Sequence, residues 1–294
     1  MSSSDLMHRF LFDNTDIRGE VVTLADSYRQ VIENNQHLPD NVKLILGEFA
    51  AAVSLLSSSL KFDGLISLQI RGEGPLSLIV AECSHHRAVR GIAQTNPEAS
   101  LDDLAGTDLR QLVGKAVLAI TIDPEKGKRY QGLVPVESSS LAECLQQYFA
   151  QSEQLPTHFW FAASAENVTG LMLQALPTQL ATEEDNQDHW QTVVQLANTV
   201  KDQELLTLDH AEVLYRLFNE ENVRLFEPSA IHFECSCSSE RSANSLIALG
   251  REEFESLLVE QTIINIDCQF CNQSYTFSGD DMAELFGHKD QPLH

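Results

Sequence analysis

The chain has 294 residues and a mass of 32.7 kDa, a length that suggests about two domains. Its 43 acidic and 19 basic residues give a formal net charge of -24, which argues against nucleic acids and anionic membranes as partners because both require a basic face. No apolar run is long enough to span a membrane. Residues 1–5 lack the basic and apolar segments of a secretory signal, so we expect a cytoplasmic protein.

The charge is distributed unevenly along the chain. Residues 1–178 contain 21 acidic and 13 basic residues, a net charge of -8, whereas residues 179–294 contain 22 acidic and 6 basic residues, a net charge of -16. Like charges crowded into a short segment destabilise its compact state. We therefore place a domain boundary near Pro177 and expect the C-terminal part to be the less stable one.

The pattern of residues 1–178 predicts an α+β domain. Apolar and polar residues alternate over 66–70, and a turn with Gly and Pro leads into a second apolar run at 76–81, as in a β-hairpin. The same alternation at 118–122 predicts a strand that pairs with 131–136. Because the predicted strands form hairpins and do not alternate with helices, the pattern favours an α+β fold over a doubly wound sheet.

Two helices are predicted among these strands. Asp40 is expected to cap the first, and Ser140 with Glu143 forms a capping-box pattern at the start of the second. The apolar faces consist of Val42, Ile45, Leu46, Phe49 and Val53 in the first helix, and of Leu141, Cys144, Leu145, Tyr148 and Phe149 in the second. Cys144 belongs to such a face and Cys83 ends a predicted strand, so both thiols are expected in the core.

Residues 179–231 are predicted to form a helical linker. One segment carries apolar residues at helical spacing, and Asp209 with Glu212 forms a cap before a second segment at 213–218. The residues of the first apolar stripe are Trp190, Val193, Val194, Ala197 and Val200. Helices this short are not stable alone in water, so the linker is expected to pack its apolar side on another surface and to expose an acidic side.

Four of the six cysteines form a motif near the C-terminus. Cys235-x-Cys237 is followed, after thirty residues, by Cys268-x-x-Cys271, a layout typical of a tetrahedral site with four thiolate ligands. We expect one zinc ion per chain, because zinc prefers this geometry and needs no open position. An iron–sulfur cluster is the minor alternative, and structural disulfides fit a reducing cytosol less well. Four free thiols that lie close together by coincidence are the remaining and less favoured explanation.

The motif lies in a predicted zinc-binding domain, residues 232–294. A domain of this size is marginally stable without a crosslink or a metal, and structural zinc contributes about 10–16 kcal/mol in small peptides. The single residue between Cys235 and Cys237 is shorter than the usual spacing, so a disulfide between them would close a small, strained and readily reduced ring. The site is therefore predicted to be reversibly oxidised, and the domain to unfold when its thiolates are oxidised.

The sequence contains no recognisable catalytic constellation. It has neither a phosphate-binding P-loop nor a nucleophile elbow, so we expect a protein that is not an enzyme. A thiol-disulfide oxidoreductase that uses Cys268 and Cys271 is the main alternative. A nucleic-acid-binding zinc ribbon is a third, which the acidic composition around the cysteines disfavours.

Segments along nearly the whole chain resemble a known family, the bacterial redox-regulated heat-shock chaperones named for their 33-kDa mass. The cysteine motif is the most specific part of the resemblance. The other matching segments are 9–12 (RFLF), 18–20 (RGE), 68–76 (LQIRGEGPL), 89–91 (VRG), 130–132 (YQG), 148–157 (YFAQSEQLPT), 217–221 (LFNEE), 223–228 (VRLFEP) and 249–250 (LG). Cys83 and Cys144 are not part of the family pattern.

The resemblance implies an ATP-independent holdase, a chaperone that binds unfolding proteins under oxidative stress. It implies that the reduced, zinc-bound form is inactive. Oxidation would join Cys235 to Cys237 and Cys268 to Cys271, release zinc, and unfold the zinc-binding domain with the linker. The active form would be a homodimer whose domain of residues 1–178 binds clients and mediates dimerisation.

Overall fold

A computed structural model describes residues 5–58, 63–180, 182–281 and 286. The first four residues, which contribute to the expectation that there is no secretory signal, lie outside this described part. The chain divides into two compact units, Met1–Glu234 and Cys235–His294. None of the helices within the described ranges is both long and apolar enough to cross a membrane.

The first unit combines strands with helices. Its strands are, in chain order, β1 (Leu6–Phe12), β2 (Ile17–Leu24), β3 (Gly64–Gly72), β4 (Leu76–Ser84), β5 (Ala88–Thr95), β6 (Ala116–Pro124), β7 (Tyr130–Pro135), β8 (Thr157–Ala163), β9 (Val168–Ala175), β10 (Val223–Leu225), β11 (Ser229–Ala230) and β12 (His232–Phe233). Its helices are α1 (Asp26–Glu33), α2 (Asp40–Ser57), α3 (Leu109–Val113), α4 (Leu141–Tyr148), α5 (Glu183–Ala197), α6 (Asp202–Thr207) and α7 (His210–Phe218). A short π-helical turn, Phe149–Glu153, extends α4.

The strands form two sheets. Sheet A has the order β10-β1-β2-β9-β8, with β11 also paired to β1, and all of its pairs are antiparallel. Sheet B has the order β12-β5-β4-β3-β6-β7, and its pairs are antiparallel except that of β12 with β5. The predicted hairpins are confirmed as β3–β4 and β6–β7, and the α+β class is confirmed with them.

Helix α2 forms the centre of the main core. It contacts strands of both sheets, and its middle turns, residues 49–53, are fully buried on every side, as expected for a helix that is apolar all round. The predicted cap was wrong in detail. Pro39 occupies the N-cap position, and Asp40 is the first helical residue. The exposed Asp40 carboxylate pairs with Lys43 at 3.0 Å, and it is stabilised by the positive end of the helix dipole.

The two other predicted caps are confirmed. Ser140 Oγ accepts a hydrogen bond from the backbone N–H of Glu143 at the start of α4, and Asp209 accepts one from the N–H of Glu212 at the start of α7. Cys83 in β4 and Cys144 in α4 are fully buried, which confirms that both thiols belong to the core.

Sheet A buries both of its faces. Met7, Val22 and Met172 point into the main core with α2, whereas Phe10 and Leu171 point to the opposite face and join a second cluster. The remaining buried members of this second cluster are Phe12, Ile17, Val21, Ala162 and Leu173 from the strands, with Val193, Ala197, Leu205, Val213, Leu214, Leu217 and Phe218 from α5, α6 and α7. The linker helices therefore cover one face of sheet A, as their apolar stripe predicted.

The linker differs from its prediction in two respects. Helix α5 ends at Ala197, so Val200 lies outside it, although its side chain still packs on the second cluster. Residues 223–230 are not helical but contain β10 and β11, which extend sheet A by pairing with β1. The linker belongs to the first compact unit, Met1–Glu234, and the functional division at residues 178 and 231 stays a prediction.

Polar contacts hold the linker in register with sheet A. Asp16 accepts a hydrogen bond from the side-chain amide of Asn186 at 2.8 Å and donates its own N–H to the Asn186 oxygen. The Trp160 indole N–H donates to Asn198 at 3.0 Å, and the Asn167 amide donates to a carbonyl of α6. These side chains specify how the linker helices sit on an otherwise apolar surface.

We expect Phe218→Ala to weaken the packing of α7 on sheet A by about 3–5 kcal/mol, the usual cost of truncating a fully buried Phe. Tyr215→Ala is the matched control, because Tyr215 lies on the same helix with 71% of its surface exposed. Amide hydrogen exchange of α7 measures the effect. Equal protection in the two variants would contradict the assigned packing.

Candidate metal centre

The second unit contains α8 (Ser239–Leu249), α9 (Arg251–Glu260), β13 (Ile263–Asp267) and β14 (Ser274–Ser278). Its buried apolar core is small and consists of Ala243, Leu246, Phe254, Ile264 and Phe277. A core of this size supplies little stability by itself. The unit therefore depends on a further source of stability.

The first cysteine pair lies at the start of α8. Ser238 caps this helix by accepting a hydrogen bond from the Arg241 N–H at 3.2 Å. The Arg241 guanidinium reaches back to Ser236, between the two cysteines, and donates to its carbonyl oxygen at 2.8 Å and its hydroxyl at 2.6 Å. The helix cap and the arginine together fix the conformation of the segment that carries Cys235 and Cys237.

The second pair lies in the turn between β13 and β14. Asn272 donates its N–H to the Cys268 carbonyl at 2.8 Å, and Cys268 donates to the Gln273 carbonyl at 2.9 Å. Asn272 has a φ of +57°, a left-handed conformation that asparagine tolerates better than most residues. The tight turn places Cys268 and Cys271 on the same side of the hairpin end.

The four sulfurs converge. Cys235 Sγ lies 3.6 Å from Cys268 Sγ, Cys237 Sγ lies 3.4 Å from Cys271 Sγ, and all four lie within 4.8 Å of one another. A tetrahedral zinc site with Zn–S bonds of about 2.3 Å requires sulfur separations of roughly 3.8 Å. The four sulfurs are therefore placed as ligands of a tetrahedrally coordinated metal ion would be. Among the residues that the structure describes, no other group of His, Cys, Asp or Glu side chains is arranged in this way.

The electrostatics of the cluster favour one thiolate in particular. Burial opposes ionisation of Cys237, but hydrogen bonds from the Tyr275 hydroxyl, at 3.1 Å, and from the neighbouring thiols lower its pKa to about 7. Burial and the other three thiols raise the pKa of Cys271. A cation bound by the four sulfurs would lower the pKa of all four thiols, because it stabilises the thiolate form of every ligand.

The two remaining cysteines have a different environment. Burial raises the pKa of Cys83 to about 11 and also raises that of Cys144. Such thiols are poor nucleophiles and poor ligands at neutral pH. The six cysteines thus separate into four that form a cluster and two that pack in the core.

Sequence reasoning missed two residues of the site, Tyr275 and Arg241. Tyr275 reaches Cys237 because β14 returns antiparallel to β13, and Arg241 reaches Ser236 because the helix cap turns the chain. Neither contact has a signature in the spacing of the cysteines. Only the three-dimensional arrangement reveals them.

The fold and the site define an α+β protein with a C-terminal unit that carries a cluster of four thiols arranged so that they could hold a metal ion. The family model described as "Hsp33 protein" matches residues 5–278. The chain belongs to the Hsp33 family.

Individual relatives agree with this assignment. A "33 kDa chaperonin" of Pseudomonas paraeruginosa is 50% identical over 288 residues, which cover 97% of this chain and 96% of the relative. A protein of the same name from Azotobacter vinelandii is 48% identical with the same coverage. The chain is therefore a chaperone of the Hsp33 family, and the names of these relatives are those of chaperones and not of enzymes.

A solved structure supports the fold. The crystal structure of a 33 kDa chaperonin (heat shock protein 33 homolog) from Thermotoga maritima matches with a TM-score of 0.81, 24% sequence identity, and coverage of 98% of this chain and 99% of the other. The match extends over both the sheets and the C-terminal unit. It confirms the predicted combination of a mixed sheet-and-helix domain with a small C-terminal domain.

We expect the reduced protein to bind one zinc ion per chain, and replacement of any one of the four clustered cysteines by Ser to weaken binding strongly, because a neutral hydroxyl is a poor substitute for a thiolate. Cys83→Ser and Cys144→Ser are matched controls that retain zinc, at a stability cost of about 1–3 kcal/mol for a poorly paired buried hydroxyl. Metal analysis with a competing chelator measures this. Full zinc retention in the Cys268→Ser and Cys271→Ser variants would refute the assignment.

Proposed function

We propose that the chain is a redox-regulated, ATP-independent holdase that binds unfolding proteins in the cytoplasm under oxidative stress. The observation that carries this proposal is the convergence of four thiols in a unit with a very small core, in a chain of a chaperone family. The proposal treats the cluster as a switch and not as a catalytic site.

In the reduced form, Cys235, Cys237, Cys268 and Cys271 would hold one zinc ion. A structural zinc ion crosslinks the two chain segments and contributes about 10–16 kcal/mol in small peptides, which offsets the small core of Cys235–His294. With this unit folded, the linker helices stay packed on sheet A. This form is the inactive one.

Oxidation would remove the metal ligands. Two thiolates, two protons and one hydrogen peroxide molecule give one disulfide and two water molecules, and two such reactions convert all four cysteines. We propose the pairs Cys235–Cys237 and Cys268–Cys271. In the folded cluster Cys235 lies close to Cys268, and Cys237 lies close to Cys271. Once the unit loosens, however, neighbours in sequence meet most often because closing a short loop costs the least entropy.

Loss of the folded C-terminal unit would then destabilise the linker. The linker ends only a few residues before Cys235. Residues 179–294 carry a net charge of -16, so their acidic side chains repel one another and favour an expanded chain once the packing is lost. Its helices are too short to persist alone. The equilibrium thus shifts toward a form in which α5, α6 and α7 leave sheet A.

The surface under the linker is suited to unfolding clients. Its side chains include Phe10, Phe12, Leu171 and Leu173, all fully buried beneath the linker. A contiguous apolar surface exposed on a protein marks a site of interaction, and unfolding proteins expose apolar segments of their own. The acidic remainder of the chain would keep the complex soluble.

Further parts of the proposal concern assembly and partners. We propose a homodimer as the active form, with residues 1–178 as the client-binding and dimerisation domain. The net charge of -24 opposes binding to nucleic acids and anionic membranes. A thiol-disulfide oxidoreductase is disfavoured, because Cys268 and Cys271 converge with Cys235 and Cys237 in one cluster of four thiols and do not form a separate pair.

We expect oxidation by peroxide at elevated temperature to release zinc, to remove amide protection from residues 232–281 and from the linker, and to leave the sheets of residues 5–175 protected. Aggregation suppression of a thermally unfolded client should appear only in the oxidised sample. Hydrogen exchange, zinc release and light scattering are measured on the same samples. Cys83→Ser and Cys144→Ser should behave as the unmodified chain does.

Two results would contradict this function. Protection retained across 183–281 after zinc release would exclude linker release as the activating event. Catalytic turnover of a small disulfide substrate by the reduced protein, without aggregation suppression by the oxidised protein, would favour the oxidoreductase.

A further inference from the structure

A chain of hydrogen bonds joins the linker to the centre of sheet A. His210, the first residue of α7, places its Nδ1 atom 2.8 Å from Nδ1 of His8 on β1. Its Nε2 atom lies 2.9 Å from the Thr23 hydroxyl on β2, which in turn lies 3.0 Å from the Thr169 hydroxyl on β9. One imidazole of the linker thus contacts a polar row that crosses three neighbouring strands.

The contact between the two imidazoles limits how many protons the pair can hold. A hydrogen bond between two ring nitrogens needs a hydrogen on one and a lone pair on the other. The pair accommodates its neutral form and a single added proton. With both rings protonated, two N–H donors would face each other at 2.8 Å, and the contact between His8 and His210 would be lost.

The surroundings make even the first proton unfavourable. His210 is only 7% exposed, and burial, with His8 as a second cause, lowers its pKa to about 4 although Asp209 raises it. Burial also lowers the pKa of His8 against the opposing effects of Glu227 and Asp209. The acidic groups facing the pair are thus Asp209 at the cap of α7 and Glu227 between β10 and β11.

We propose that the His8–His210 contact is an acid-sensitive latch, so that acid releases the linker helices from sheet A and exposes the same client-binding surface without oxidation. This inference rests on the proposed function, because it assigns a second input to the same linker. The latch is independent of the cysteines: its four residues lie on β1, β2, β9 and α7.

The direction of the pH effect follows from proton linkage. The pKa of His210 is below 6.5 while the linker is docked and returns toward 6.5 when the ring is hydrated, so the undocked form binds more protons. The latch therefore has its full strength above pH 6.5 and loses it as the pH falls toward 4. The opening constant is the equilibrium constant for release of α7 from sheet A. With a pKa of about 4 in the docked form, His210 alone makes this constant about tenfold larger at pH 5.5 than at pH 7.5.

Two other groups near the linker also titrate. Glu48 on α2 has a pKa raised to about 7 by burial and by Asp202 of α6, so its protonation strengthens docking as the pH falls and opposes the latch. His158, whose ring faces Trp190 of α5, has a pKa lowered by burial and acts in the same direction as the latch. Both contributions are common to all of the histidine variants below.

The test is amide exchange of α7 in the reduced protein with zinc present, at pH 5.5 and 7.5, corrected for the pH dependence of intrinsic exchange. The variants are made in a Glu48→Gln background, which removes the opposing carboxyl group. In that background we expect the opening constant of α7 to rise about tenfold and that of the chain with His210→Asn added to rise by less than about threefold. His37→Asn, at an exposed histidine, should keep the tenfold rise. With Glu48 retained the rise should be smaller, because protonation of Glu48 strengthens docking over the same pH range.

Thr23→Val separates titration from loss of a contact. It removes a hydrogen bond of the latch but leaves both imidazoles, so it should raise the opening constant at both pH values and preserve their ratio. If His210→Asn abolishes docking at pH 7.5, His8→Asn replaces it and should likewise reduce the ratio. A ratio near one in the Glu48→Gln chain, or an equal rise in that chain and in both histidine variants made on it, would overturn the latch.

Metal loss and chaperone activity are measured separately. Acid also protonates thiolates, so bound zinc is determined in each sample; His210→Asn retains all four cysteines, and metal loss therefore cannot produce a difference between it and the unmodified chain. Aggregation suppression by the reduced protein at pH 5.5 should exceed that of His210→Asn if that variant is docked. Failure of the oxidised protein to suppress aggregation at pH 7.5 would count against the proposed function and would leave the exchange result intact.

Discussion

The burial of one face of sheet A, the face that α5, α6 and α7 cover, is the interaction on which the rest of the structure depends. The strands of this sheet carry apolar side chains on both faces, and α2 with sheet B covers only one of them. At about 25 cal/mol per Å² of apolar surface, leaving a face of aromatic and branched side chains open to water is costly. The linker helices bury that face, so the sheet and the linker stabilise each other. Displacement of the linker would expose the apolar side chains of the sheet to solvent.

The sequence predicted those parts of the fold whose signals are local. The hairpins β3–β4 and β6–β7 follow from alternation over adjacent strands, and the caps at Ser140 and Asp209 follow from side chains that bind backbone N–H groups within the same turn. Strands β10 and β11 were missed because they have three and two residues. So short a segment has no periodicity of its own and becomes a strand only by pairing with β1.

The same distinction holds at the metal-binding cluster. The identity of its four sulfurs follows from spacing in sequence, since thiolate pairs must lie close together to share one ion. The Tyr275 hydrogen bond to Cys237 depends on the return of β14 along β13, and the His8–His210 contact joins residues that are 202 positions apart. A single sequence carries no pattern for a contact of this kind, because either residue alone is an ordinary surface or core residue.

In the proposed mechanism, two independent chemical inputs combine at the linker interface. Oxidation of the four thiolates would act through Cys235–His294, and proton uptake would act through His210 within the first unit. Both inputs would bias a single equilibrium between docked and released helices, so their free energies would add when neither alters the other. A small acid-induced weakening of the latch then reduces the oxidation needed to release the linker. Heat acts on the same equilibrium, because opening the helices gains conformational entropy. An interface that works in this way would respond to combined stress more steeply than to any one stress alone.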